Sequence, residues 1–123
     1  MTRKKILLVD DTETILMMER MILSKGSYDF VTAKDGEEAV DKAMSERPDL
    51  ILLDVVMPKM DGFTVCKRLR RKEATRETPI IMVTTRGEAG QVEEGFENGC
   101  TDYVLKPIDG LELLSKVRNY LGE

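Results

Sequence analysis

The chain has 123 residues, a net charge of −4 and no histidine. The length suits one ordinary domain, and the acidic balance gives no basic footprint for nucleic acid. The missing imidazole excludes Ser–His and Cys–His nucleophile pairs, histidine-ligated metals and a phosphohistidine on this chain.

The segment 5–9 (Lys-Ile-Leu-Leu-Val) reads as a strand ending at Asp10-Asp11. A helix is predicted over 12–25, with Thr12 as N-cap, Gly26 just past its end, and Ile15, Met18 and Ile22 as its inner stripe. Met17 and Met21, four residues apart, would then form an adaptable apolar patch pointing elsewhere. Residues 28–33 form a second strand, and 36–46 a helix with Ala39, Val40, Ala43 and Met44 on one stripe. Four unbroken apolar residues, Leu50-Ile51-Leu52-Leu53, have the composition of a central parallel strand buried on both faces. They stop at Asp54, whose position alone is compatible with a nucleophile, a metal ligand or a cap.

Met57-Pro58 holds the next loop open, and Asp61 suits the N-cap of a helix over 61–72 with Phe63, Val65, Cys66 and Leu69 inside. Its basic run, Lys67 to Lys72, reads as a solvated face. A fourth strand covers 79–84, followed by a weaker helix over 88–98. Gly87, Gly90, Gly95 and Gly99 punctuate that helix; each is either a mark of a marginal, movable segment or an ordinary packing or capping glycine. A short strand over 102–105 leads to Lys106-Pro107, and the last helix spans 109–121 with Leu111, Leu114, Val117 and Leu121 toward the core. Cys66 and Cys100 have no metal spacing and read as buried apolar residues. No apolar run reaches membrane-spanning length and no signal-peptide segment is present, so a cytoplasmic location is expected.

Strict alternation of five strands and five helices argues an α/β fold, a single doubly wound parallel sheet of order 2-1-3-4-5 occupying 1–123. In that order Asp10, Asp11 and Asp54 end neighbouring strands at one edge, with Thr84 and Lys106 ending the next two. Three converging carboxylates suit Mg²⁺, although Asp10-Asp11 alone could be a strand end and helix cap. A carboxylate can also act as a nucleophile on phosphorus, which then needs positive charge and hydrogen-bond donors around the transferring oxygens. Lys106 can supply the first and Thr84 the second. A hydrolase of the aspartyl-phosphate class would need a second acid two residues after Asp54, where Val56 stands. A flavin module would need a phosphate-cradling loop after the first strand, where Asp10-Asp11 would repel phosphate.

Taken together, Val9-Asp10-Asp11, Asp54-Val55-Val56-Met57-Pro58-Lys59-Met60-Asp61-Gly62, Thr84-Thr85 and Tyr103-Val104-Leu105-Lys106-Pro107 resemble the receiver domain of bacterial response regulators, of the chemotaxis-regulator type used in two-component signalling. The resemblance implies a signalling switch rather than a turnover enzyme. A sensor histidine kinase or histidine phosphotransfer protein would donate a phosphoryl group to Asp54. It also implies Mg²⁺ held by Asp11, Asp54, the Val56 backbone carbonyl and, through water, Asp10. A cis Lys106–Pro107 peptide and coupling of Thr84 to Tyr103 as the switch follow from the same resemblance. The fourth helix, fifth strand and fifth helix would form the output surface for a downstream protein target, and Met17 and Met21 would dock the phosphotransfer partner. Val56 and Thr85 depart from the chemotaxis-type pattern, so slow self-dephosphorylation is expected. A stand-alone regulator is expected; a receiver belonging to a larger regulator or hybrid kinase, a phosphorelay intermediate, and a degenerate receiver are the alternatives.

Overall fold

The apolar runs become strands because each can bury alternate side chains on opposite faces of one sheet. A computed structural model describes residues 3–123. Its elements are β1 (Lys4–Val9), α1 (Glu13–Leu23), β2 (Tyr28–Ala33), α2 (Gly36–Glu46), β3 (Leu50–Leu53), α3 (Gly62–Arg70), β4 (Ile80–Thr84), α4 (Ala89–Glu97), β5 (Asp102–Leu105) and α5 (Gly110–Tyr120), with a 3-10 turn over Glu73–Thr75. The sheet is parallel throughout and runs β2-β1-β3-β4-β5, the expected doubly wound order. On one face Leu7, Val9, Ile51, Leu53 and Met82 meet residues of α2 and α3, with Val92 of α4 at the margin. On the other, Ile6, Leu8, Leu52, Val83 and Val104 meet α1 and α5.

Three helix starts follow from short acidic side chains. Asp35, Asp61 and Asp109 each accept backbone N–H groups of the first turn, at 2.8 Å from Glu38, 2.9 Å from Thr64 and 3.0 Å from Leu111. Thr12 takes the N-cap position of α1 without capping through its hydroxyl. The Asp10 carboxylate instead accepts the Thr12 N–H at 2.9 Å.

Several predicted faces are rotated. The buried residues of α1 are Leu16, Glu19 and Leu23, not Ile15, Met18 and Ile22. Ile15 and Ile22 are half-buried, and Met18 is exposed. The hydrophobic face expected for the helix therefore contains a carboxylic acid. On α5 the core is Leu113, Leu114 and Val117, and Leu111 is 77% exposed because its position in the first turn points away from the sheet. On α2, Ala39 and Ala43 are buried, Val40 packs at the margin and Met44 is exposed. The inner face of α3 and both buried cysteines are as expected.

The basic run of α3 is not wholly solvated. Arg70 is half-buried and donates to the carbonyls of Gly99 (2.8 Å), Thr75 (2.9 Å), Arg76 (3.1 Å) and Thr78 (2.7 Å) and to the Thr101 hydroxyl (3.2 Å). The α4 glycines divide. A Cβ on Gly95 would meet the Tyr103 ring at 3.0 Å, and Gly99 has φ +101°, so both have packing or backbone reasons. A Cβ on Gly90 would meet nothing within 4 Å. Among its residues α4 buries only Gly95. No helix among the described residues is long and apolar enough to cross a membrane.

Candidate functional site

Register builds the site. Val9 pairs with Leu53, so Asp10 and Asp54, one residue further along each strand, stand side by side. The ladder continues past both, with Asp54 N–H donating to the Val9 carbonyl at 3.0 Å. Thr84 pairs with Leu105, and Lys106 N–H donates to the Thr84 carbonyl at 2.9 Å. Asp10, Asp11, Asp54, Thr84 and Lys106 are thus all delivered to the carboxyl edge of the sheet, where open α/β sheets bind ligands.

Asp10 and Thr84 are fully buried, Asp54 nearly so, and Asp11 is exposed. One carboxylate oxygen from each of Asp10, Asp11 and Asp54 lies within 4.8 Å of the other two. The Lys106 ammonium donates to Asp10 Oδ2 at 2.7 Å and to Asp54 Oδ2 at 3.3 Å. Burial pulls the Lys106 pKa down, but its bond to Asp10 and the charges of Asp54 and Asp10 outweigh this and leave it raised. Burial pushes the Asp54 carboxyl up; Lys106 opposes this, Asp10 adds to it, Thr84 and Lys106 hydrogen bonding works against it, and the net direction is up. Three acids against one ammonium leave the pocket net negative. All its free donors are hard oxygens, a set that fits Mg²⁺.

The loop after β3 shapes the rim. The Val56 N–H approaches Asp54 Oδ1 at 3.4 Å, and its side chain is 46% exposed. A Cβ on Gly62 would lie 2.2 Å from the Asp54 carbonyl oxygen, so only glycine lets α3 start against the strand end. The Lys106–Pro107 peptide is cis, as the resemblance implied.

Tyr103 is buried, its ring tilted against Phe96 of α4 with centroids 6.5 Å apart. Its hydroxyl donates to the Arg86 carbonyl. The N–H of Arg86 points to Thr84 Oγ1 at 3.3 Å. Thr84 and Tyr103 are therefore linked through the backbone of Arg86, a residue that sequence reasoning had no means to select, since every residue type but proline supplies the same backbone groups. Met17 and Met21 are not brought into this pocket. They are 56% and 71% exposed and line an open groove of about 390 Å³ with Arg20, Ser24 and Phe30. Glu19 was also missed. Its only signal was its spacing, three after Leu16 and four before Leu23.

The family model of the response regulator receiver domain matches residues 6–118. The chain is 45% identical over 118 residues to the alkaline phosphatase synthesis transcriptional regulatory protein PhoP of Bacillus subtilis, covering 96% of this chain and 48% of that protein. It is 41% identical over 115 residues to the response regulator PleD of Caulobacter vibrioides, covering 94% of this chain and 25% of that protein. The chain thus spans about half or less of these curated relatives. The solved structure of the chemotaxis response regulator CheY4 of Vibrio cholerae superposes with a TM-score of 0.90 at 37% identity, covering 97% of this chain and 99% of that one. With fold, strand-end residues and family match in agreement, the chain belongs to the response regulator receiver domains, the signalling switches of two-component systems.

Proposed function

We propose that Asp54 accepts a phosphoryl group and that the resulting charge is read out on the surface of α4, β5 and α5. Receiver domains are signalling switches rather than turnover enzymes and bind Mg²⁺ at an acidic pocket. The observation that carries the reading is the meeting of the Lys106 ammonium with Asp54 and Asp10 at 3.3 and 2.7 Å beside Thr84. Asp11, Asp54 and the Val56 carbonyl would hold Mg²⁺, with Asp10 acting through water. The ion would supply positive charge to the phosphoryl oxygens.

The remaining work falls to the chain's own groups. An Asp54 oxygen attacks phosphorus in line, the bond from phosphorus to the donor's imidazole nitrogen breaks, and that nitrogen keeps the electron pair. Lys106 moves its hydrogen bonds from the carboxylates to a phosphoryl oxygen, and the Thr84 hydroxyl donates to another. The Thr84 hydroxyl is then withdrawn from the Arg86 N–H, and the Arg86 carbonyl that receives Tyr103 is free to shift. Because α4 buries only a glycine, little packing opposes its movement. The apolar Val56 and the Thr85 side chain would slow attack by water, giving a long-lived adduct.

The donor is a sensor histidine kinase or histidine phosphotransfer protein that docks on Met17 and Met21, and the target is a downstream protein, all in the cytoplasm. Output through a further domain of a larger regulator is favoured as a second reading by the relatives, whose length exceeds the matched part. The test is incubation with Mg²⁺ and acetyl phosphate followed by mass mapping. One phosphoryl adduct on Asp54, absent in Asp54→Asn, is expected. An adduct elsewhere, or none, overturns the reading. Met17→Lys should slow transfer from the kinase and leave acetyl phosphate labelling unchanged.

A further inference from the structure

Glu19 occupies a place where α1 should carry an apolar residue. It is 1% exposed and shares the buried face of α1 with Leu16 and Leu23. Leu8 and Val83 of the sheet and Leu113 and Val117 of α5 belong to the same apolar layer. Its Oε1 is buried with no hydrogen-bond partner among the described residues. A carboxylate so placed is costly, and the group relieves that cost by keeping its proton.

The charged groups that act on it all come from the phosphoryl-acceptor edge. Burial pushes its pKa from 4.5 to about 8; Asp10 of β1 adds to the rise, Lys106 following β5 opposes it, and Asp54 following β3 adds again. On α5, Asp109 caps its own helix and Lys116 is paired with Asp102, so that helix presents Leu113, Leu114 and Val117 to this layer. Glu13 and Arg20 of α1 are exposed. Neither a hydrogen bond nor an ion pair joins Glu19 to the acidic pocket among the described residues; the coupling is through space.

We propose that Glu19 is a proton-linked positioning residue of the acidic pocket: a divalent cation entering beside Asp10 and Asp54 expels the Glu19 proton, and the resulting carboxylate strengthens the hold on that cation from the α1 layer. The O–H bond of the carboxylic acid breaks, its electron pair stays on the carboxylate and the proton passes to the buffer. The sign follows from charge. Without a cation the three acids and one ammonium are net negative and disfavour a fourth anion nearby; two positive charges reverse that field. By reciprocity, whatever the cation does to proton affinity, the proton does to cation affinity. The inference rests on Mg²⁺ being the pocket's cation.

The test is the ¹³C shift of the Glu19 carboxyl in the wild-type chain, followed against pH with and without Mg²⁺. The expected midpoint lies far above that of an ordinary glutamate without the metal and falls by about one pH unit when Mg²⁺ is saturating. Calorimetry should show Mg²⁺ binding about tenfold tighter above the Glu19 titration than below it, less any dependence retained in Glu19→Gln, which keeps the shape of the neutral acid. A Glu19 midpoint unmoved by Mg²⁺, while the Asp10, Asp11 and Asp54 resonances respond, overturns this inference alone. No response at those three acids overturns it together with the Mg²⁺ reading. The wild-type titration decides the matter even if Glu19→Gln folds poorly.

Discussion

Lys106 stands closer to Asp10 than to Asp54, with its ammonium 2.7 Å from the first and 3.3 Å from the second. The lysine is therefore anchored by a residue that is not the proposed acceptor and can turn to a new oxygen without losing its footing. Lys106→Ala strands two buried acids. It should cost about 3 kcal/mol of stability at neutral pH in the absence of metal. The loss should shrink toward acid pH, where Asp54, whose carboxyl burial already pushes up, takes up a proton, and on adding Mg²⁺. Urea unfolding checks this; equal midpoints for variant and wild type would refute it.

Glu19 gives stability a pH slope of its own. The folded chain keeps a proton there up to about pH 8, whereas the unfolded chain releases it near 4.5. Between those values the folded state binds more protons, so stability must fall as pH rises. Glu19→Leu should flatten that fall and be more stable than wild type near the upper limit by roughly 1–3 kcal/mol. Parallel pH profiles for the two proteins in metal-free urea titrations would sink the prediction.

Arg70 ties the end of α3 to the 3-10 turn and to the start of β5 through five acceptors. Arg70→Ala leaves several half-buried carbonyls unpaired and should cost about 2–4 kcal/mol. Arg70→Lys should restore less than half of this, because one ammonium cannot span acceptors spread over 75, 76, 78, 99 and 101. Thermal unfolding of the two variants tests both statements.

Two glycines of α4 should respond with opposite signs. At Gly95 a methyl group meets the Tyr103 ring at 3.0 Å, so overpacking of about 1–3 kcal/mol outweighs the helix-propensity gain of about 0.5–1 kcal/mol. Gly95→Ala should destabilise the fold and expose Tyr103, visible in its ring resonances. At Gly90 nothing opposes the methyl, and Gly90→Ala should stabilise α4 by up to about 1 kcal/mol. Hydrogen exchange of the α4 amides reports both.

The strand ends were legible because a parallel sheet forces neighbouring strands to stop together, so Asp10, Asp54, Thr84 and Lys106 could be aligned from the lengths of apolar runs. Helix faces were less legible. In α1 seven apolar residues crowd the helix, and periodicity alone could not show that Leu16, Glu19 and Leu23 face inward while Met17, Met18 and Met21 do not. Backbone partners such as Arg86, and the burial of Arg70 within a basic run, leave no trace in residue type.

The short strand β3 is pinned at both ends, by the Asp49 N–H on the Lys5 carbonyl at 2.7 Å and the Asp54 N–H on the Val9 carbonyl at 3.0 Å. Adding one residue between these pins would turn the following carboxylate to the opposite face, because side chains alternate along a strand. The spacing from Lys5 to Val9 and from Leu50 to Leu53 must therefore be copied without error for the carboxylates that follow both strands to share one pocket.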